Sequence, residues 1–171
     1  MYRVRLVLVK CRGIDSAGYH SSRFSTRLKT TMPQYYVIRS RLNGLVLDIA
    51  RSNREPGAAV ILWPETNNDN QLWYLDNGKI KSKLNDLVLD IKGGCSCPGT
   101  PVIMWHGECG KSWQQWHVEC DGTIKSELCG LVLDVKQSNR EHGAELIAYC
   151  HHGGCNQQWD LLPRGSGGCH C

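Results

Sequence analysis

Ile38-Arg-Ser-Arg-Leu-Asn-Gly-Leu-Val-Leu-Asp-Ile49 returns as Ile80-Lys-Ser-Lys-Leu-Asn-Asp-Leu-Val-Leu-Asp-Ile91 and again as Ile124-Lys-Ser-Glu-Leu-Cys-Gly-Leu-Val-Leu-Asp-Val135. Each copy is followed by a Gln-x-Trp triplet: Gln71-Leu-Trp73, Gln114-Gln-Trp116 and Gln157-Gln-Trp159. The period is about 43 residues, and three copies fill the chain from Tyr35 to Leu162. Repetition at this length signals three equivalent units sharing one core.

Inside a unit, short apolar runs alternate with turn residues and show no 3.6-residue period. In the first unit the runs are Val37-Ile38, Leu45 to Ile49, Val60 to Trp63 and Leu72 to Leu75, separated by Asn43-Gly44, Pro56-Gly57 and Asn67 to Asn70. Four such strands cannot bury their own apolar face. Twelve in three equal sets predict an all-β closed architecture with pseudo-threefold symmetry, in which closure removes exposed sheet edges. Trp73, Trp116 and Trp159 recur at one register, so they read as core rings, with Gln71, Gln114 and Gln157 satisfying unpaired backbone groups.

Composition narrows the function. Of 171 residues, 20 are Lys or Arg and 16 are Asp or Glu, giving a formal net charge of +4. Seven of those cations fall in residues 1–31 against the single acid Asp15, leaving 13 basic and 15 acidic residues in the remainder. A slightly acidic repeat body argues against nucleic acid as partner, and no apolar run is long enough to span a bilayer. Residues 1–33 read as a basic, disordered extension, with Met32 as a plausible start and a transit peptide as the rival. Residues 34–163 read as the domain, in repeats of about 34–75, 76–118 and 119–162, and 164–171 as a flexible Cys-containing tail. With neither a clear secretory signal nor a clean disulfide pattern, a cytoplasmic or non-classically secreted protein is expected.

The Leu-Val-Leu-Asp phrase, the aromatic about 15 residues later and the terminal Gln-x-Trp resemble the ricin B-chain type β-trefoil lectin family over residues 35–162. The resemblance implies a six-stranded barrel capped by three hairpins, with one shallow pocket per unit for galactose-type sugars and no cofactor. Carried over position by position, it implies Asp48, Trp63 and Asn70 as the first carbohydrate site and Asp134, Tyr149 and Asn156 as the third. In the second unit Asp90 and Trp105 match, but Trp113 stands where the Asn is expected. Ile61, Ile103 and Ile147 occupy a position, two before the aromatic, that is often Gln in strong galactose sites of the family.

These residue types suit a sugar on physical grounds. A pyranose has an apolar C–H face and a rim of hydroxyls, so a flat ring and an accepting carboxylate recognise it together. An Asp after Leu-Val-Leu should also point away from the core and toward ligand. The competing structural reading makes each Asp a turn-fixing residue and each aromatic a core ring.

The ten cysteines are absent from the first unit and lack threefold periodicity. Cys150-His-His-Gly-Gly-Cys155 with Cys169-His-Cys171 matches no recognised zinc spacing, so no metal is expected. Cys150 with His152 is the one pair resembling a nucleophile and base, with nothing to activate it, and the repeat aspartates lie in separate units. The expected function is multivalent, non-catalytic glycan binding. The alternatives are a trefoil that binds protein through its loops, like an inhibitor, and an accessory module for a separate enzyme or toxin.

Overall fold

The computed structural model describes residues 33–165. The expected disorder of residues 1–32 and flexibility of 166–171, including Cys169, His170 and Cys171, concern positions outside the described residues.

Twelve strands are present among the described residues: β1 (Tyr35–Ser40), β2 (Val46–Ile49), β3 (Val60–Trp63), β4 (Trp73–Asp76), β5 (Lys79–Ser82), β6 (Val88–Ile91), β7 (Thr100–Trp105), β8 (Trp116–Val118), β9 (Ile124–Ser126), β10 (Val132–Val135), β11 (Leu146–Tyr149) and β12 (Trp159–Arg164). The helical pieces among the described residues are six 3₁₀ turns of three residues each. The architecture is an all-β trefoil of three four-stranded units.

Pairing shows how the trefoil closes. β1 runs antiparallel to β12 from Tyr35 opposite Arg164 to Ser40 opposite Trp159, joining the two ends of the domain. β4 pairs with β5 and β8 with β9. One backbone bond then repeats with the symmetry: Arg41 N–H to Gln158 O, Lys83 N–H to Leu72 O and Glu127 N–H to Gln115 O, at 2.9–3.0 Å. The hairpins β2–β3, β6–β7 and β10–β11 form the cap. Gly57 N–H donates to Met104 O, Gly99 N–H to Ala148 O and Gly143 N–H to Leu62 O, at 2.7–2.8 Å, so each hairpin leans on the next. These glycines sit at φ +89°, +95° and +84°, where an L side chain is strained, which explains a Gly at this position in every unit.

One apolar core results. Trp73, Trp116 and Trp159 are 1–3% exposed and pack with Leu47, Leu89, Leu133 and the other inward strand residues. Each indole N–H donates to the carbonyl of its own unit's Leu-Val-Leu-Asp strand: Trp73 to Leu47, Trp116 to Leu89 and Trp159 to Leu133, at 3.0–3.3 Å. The ring therefore fills volume and satisfies a buried acceptor at once.

Several strand boundaries differ from the sequence reading, two of them with a visible cause. The last strand of the first unit begins at Trp73, not Leu72, because Gln71 closes a 3₁₀ turn before it. β12 extends to Arg164, inside the stretch expected to be flexible, because Arg164 pairs with Glu65 and its carbonyl accepts from Gln34 Nε2 at 2.9 Å.

Replacing Trp159 with Ala should cost about 3–5 kcal/mol, as for other large-to-small core changes. In urea unfolding, the midpoint should fall with little change in slope.

Candidate functional site

The site begins with strand alternation. Val46 lies opposite Trp63 and Asp48 opposite Ile61, so Asp48, Ile61 and Trp63 share one face of the β2–β3 hairpin while Leu47 and Leu62 face the core. The third unit repeats this with Asp134 opposite Ile147 and Val132 opposite Tyr149, and the second with Asp90 opposite Ile103 and Val88 opposite Trp105. In each unit a carboxylate and an aromatic ring at the hairpin end are thus brought together. Trp63, Trp105 and Tyr149 are 41%, 39% and 40% exposed, which excludes the core-ring reading for them.

The aspartates are less open than expected. Their direction is away from the core, yet Asp48, Asp90 and Asp134 are only 2–4% exposed. The cover is the loop that ends in the Gln-x-Trp triplet. Asp48 Oδ2 accepts from Gln71 Nε2 at 2.7 Å and Asn70 Nδ2 at 2.9 Å, and Asp134 Oδ2 accepts from Gln157 Nε2 at 2.7 Å and Asn156 Nδ2 at 3.0 Å. Gln114 Nε2 holds Asp90 Oδ2 in the same way at 2.7 Å. The other oxygen, Oδ1, of Asp48 and of Asp134 receives no hydrogen bond from the described residues.

Gln also satisfies backbone groups of the loop. Gln71 Nε2 donates to Pro64 O and its Oε1 accepts from Thr66 N–H; Gln114 joins His106 O to Glu108 N–H and Gln157 joins Cys150 O to His152 N–H. One amide therefore ties the loop to the carboxylate. The second role was missed, because the triplet alone does not show that its Gln meets the Asp 23 or 24 residues earlier.

Burial pushes the Asp48 and Asp134 carboxyls above their ordinary value despite these hydrogen bonds, with His152 further opposing the rise at Asp134. Asp90 is raised for the same first reason, with Glu108 adding to it and Gln114 and Trp113 opposing. A raised carboxyl binds its proton more tightly in the folded state, so it withdraws stability as pH climbs. Retaining such a group in all three units marks it as a candidate for function.

The three units diverge around this frame. The turn after each Asp strand carries two residues at positive φ: Arg51 and Ser52, Gly93 and Gly94, Gln137 and Ser138. In the third unit, Gln137 and Ser138 line a cleft of about 400 Å³ with Asp134, Tyr149, His152 and Asn156. His152 Nε2 lies 3.4 Å from Asp134 Oδ2, and its ring stands edge-on to Tyr149. In the first unit Asn70 is 6% exposed and its Oδ1 is buried without a partner.

The second unit replaces Asn with Trp113 and Ser with Gly94, and the two changes match. A Cβ at Gly94 would lie 2.8 Å from Trp113 Cδ2, so the ring rests where a side chain would otherwise stand. Lys111 Nζ lies 4.9 Å from the centre of the Trp113 ring. Sequence reasoning found the lost Asn but missed its Gly partner; Gly93-Gly94 against Arg51-Ser52 and Gln137-Ser138 was the available signal.

No group of three or more His, Cys, Asp or Glu suited to a metal occurs among the described residues. Cys150 and His152 stand on the loop of the third unit, where the thiol is exposed and His152 turns to Asp134. No helix among the described residues is long and apolar enough to cross a membrane.

Fold and site together define a β-trefoil of the carbohydrate-binding class. The chain belongs to the ricin-type β-trefoil lectin domain family, whose model matches residues 34–159. It is similar to the C-half of the earthworm R-type lectin solved in complex with GalNAc, at 34% identity over 77% of this chain and 100% of that one, with a TM-score of 0.68. A designed 3-fold symmetric protein, ThreeFoil, is 33% identical over 75% of this chain and 97% of its own, with a TM-score of 0.69. An exo-β-1,3-galactanase from Clostridium thermocellum matches 87% of this chain but only 33% of its own, at 25% identity and a TM-score of 0.71. No curated protein matches the chain.

Replacing Asp134 with Asn leaves an oxygen to accept from Gln157 and Asn156 while removing the buried charge. The variant should be at least as stable as the parent at neutral pH. The parent should lose stability relative to it as pH rises from 3.8, the unperturbed Asp value, through the raised folded value. Urea titrations of both proteins across that interval measure the difference.

Proposed function

We propose that the protein is a non-catalytic lectin whose first and third units each bind one galactose-type sugar, making the chain at least bivalent. The observation that carries this reading is the doubled constellation of Asp, half-exposed ring and Asn on one hairpin face: Asp48, Trp63 and Asn70, then Asp134, Tyr149 and Asn156. Asp Oδ1 would accept a hydroxyl proton, the ring would stack on the C–H face, and the Asn amide would supply the second polar contact. Oδ2, held by Gln and Asn, fixes the carboxylate plane beforehand, which lowers the ordering cost of binding. The orphaned Asn70 Oδ1 supports a ligand donor in the first unit.

Support for the sugar class comes from a relative. The earthworm C-half, 34% identical, was solved with GalNAc. In the second unit Asp90 and Trp105 remain, while Trp113 over Gly94 takes the space of the Asn, so this unit is assigned altered or no sugar binding. The galactanase match favours a secondary reading, in which the chain serves as a sugar-binding module beside a separate enzyme. Both readings use the same pockets.

Bivalency gives a sharp test. Asp48→Asn or Asp134→Asn alone should leave one working site, abolish agglutination of galactose-bearing cells and lower apparent affinity for a dense galactose surface by about 10²-fold. The double variant should lose binding to that surface altogether while keeping its fold by circular dichroism. Undiminished glycan binding by the folded double variant would contradict the assignment.

A further inference from the structure

The loop between β6 and β7 departs from its two counterparts in one concerted way. Asn53-Arg54-Glu55 in the first unit and Asn139-Arg140-Glu141 in the third are replaced by Cys95-Ser96-Cys97. The Asn side chains do the same work: Asn53 Oδ1 accepts from Glu55 N–H at 3.0 Å and Asn139 Oδ1 from Glu141 N–H at 2.9 Å. In the second unit the sulfur takes that place, with Cys97 N–H donating to Cys95 Sγ at 3.3 Å. A small polar turn has thus been rebuilt around a thiol, with a second thiol where the Glu side chain stood.

The fold holds this pair in place from both ends. Cys95 N–H reaches Lys92 O, Gly99 N–H donates to Ala148 O at 2.8 Å, and Thr100 donates to Cys97 O through its backbone N–H at 3.2 Å and its Oγ1 at 2.6 Å. Both thiols are reachable: Cys97 is exposed and Cys95 partly so.

The Arg–Asn clasp of the other junctions is missing here as well. Arg54 donates to Leu84 O while Asn85 donates to Arg54 O, and Arg140 donates to Leu42 O while Asn43 donates to Arg140 O. The matching positions at this junction are Ser96 and Cys129. Nothing in the glycan reading uses these changes.

We propose that Cys95 and Cys97 form a thiol–disulfide exchange site, in which Cys95 attacks a low-molecular-weight disulfide and Cys97 resolves the adduct. The Cys95 thiolate attacks one sulfur of the disulfide RSSR, forming a Cys95–S–SR bond and expelling RS⁻. The Cys97 thiolate then attacks Cys95 Sγ, closing the Cys95–Cys97 bond and expelling the second RS⁻. Two protein thiols are oxidised, one RSSR is reduced, and the protons of both thiols leave with the two RSH products. The roles follow from the hydrogen bonds. The Cys97 thiol and backbone N–H favour the Cys95 thiolate, whereas the neighbouring Cys95 raises Cys97. An exposed disulfide between thiols two residues apart should be readily reversed, as expected of a labile bond.

The test uses the reduced full chain exposed to oxidised glutathione, quenched with acid, alkylated and analysed by fragmentation mass spectrometry. Cys95 and Cys97 should be joined roughly tenfold faster than any other described cysteine reacts, and urea should erase that preference. Cys97→Ser should accumulate a stable glutathione adduct at Cys95, and Cys95→Ser should leave Cys97 no faster than Cys109 or Cys120. Even reactivity across the cysteines, a bond from Cys95 to Cys109 or Cys129, or an unchanged preference in urea would overturn the proposal. Glycan binding by the same samples reports separately on the lectin reading.

Discussion

The hydrogen bond from the Gln amide of each Gln-x-Trp triplet to the Asp of its Leu-Val-Leu-Asp strand is the contact on which the site depends. It measures 2.7 Å in all three units. The same amide spans the loop backbone on either side, and two residues later the Trp ring enters the core. A carboxylate on the hairpin face that carries the exposed ring and an indole in the core are therefore joined through one short segment. Removing the Gln would leave a buried carboxylate short of a donor and two loop groups unpaired, a costly combination inside a protein.

This arrangement sets one buried carboxylate in each unit of the scaffold. Each Asp is almost wholly buried, and its raised carboxyl shows that burial outweighs the hydrogen bonds it receives. Asp48 and Asp134 each keep one carboxylate oxygen, Oδ1, that receives no hydrogen bond from the described residues. Symmetry then supplies repetition, because cap hairpins that lean on one another hold their end rings in a fixed mutual geometry.

Much of the fold was legible because its determinants are repeated. Three copies of Leu-Val-Leu-Asp and Gln-x-Trp gave the strand pattern, the threefold symmetry and the buried Trp layer. Grouping of Asp48 with Trp63, and Asp134 with Tyr149, came from the family resemblance, and strand register then placed each pair on one hairpin face. What escaped were contacts between residues distant in sequence. The Gln71–Asp48 bond links positions 23 apart across a loop of no regular period, and Trp113 is accommodated by Gly94 through packing alone. Burial of the Asp was misjudged for a related reason: alternation gives the face of a strand but not what covers it. The cysteine spacing argued against a metal, but spacing alone did not show that Cys95 stands where Asn53 and Asn139 stand in the other units and closes the same turn.

Titrating galactose into isotopically labelled protein and following the amide and indole resonances tests the central claim most directly. Two binding events are predicted, with shifts centred on Trp63, Asn70 and Ser52 in the first unit and on Tyr149, Asn156 and Ser138 in the third. The contradicting result is a spectrum unmoved at these residues, or one whose shifts gather in the Cys95 to Pro101 loop.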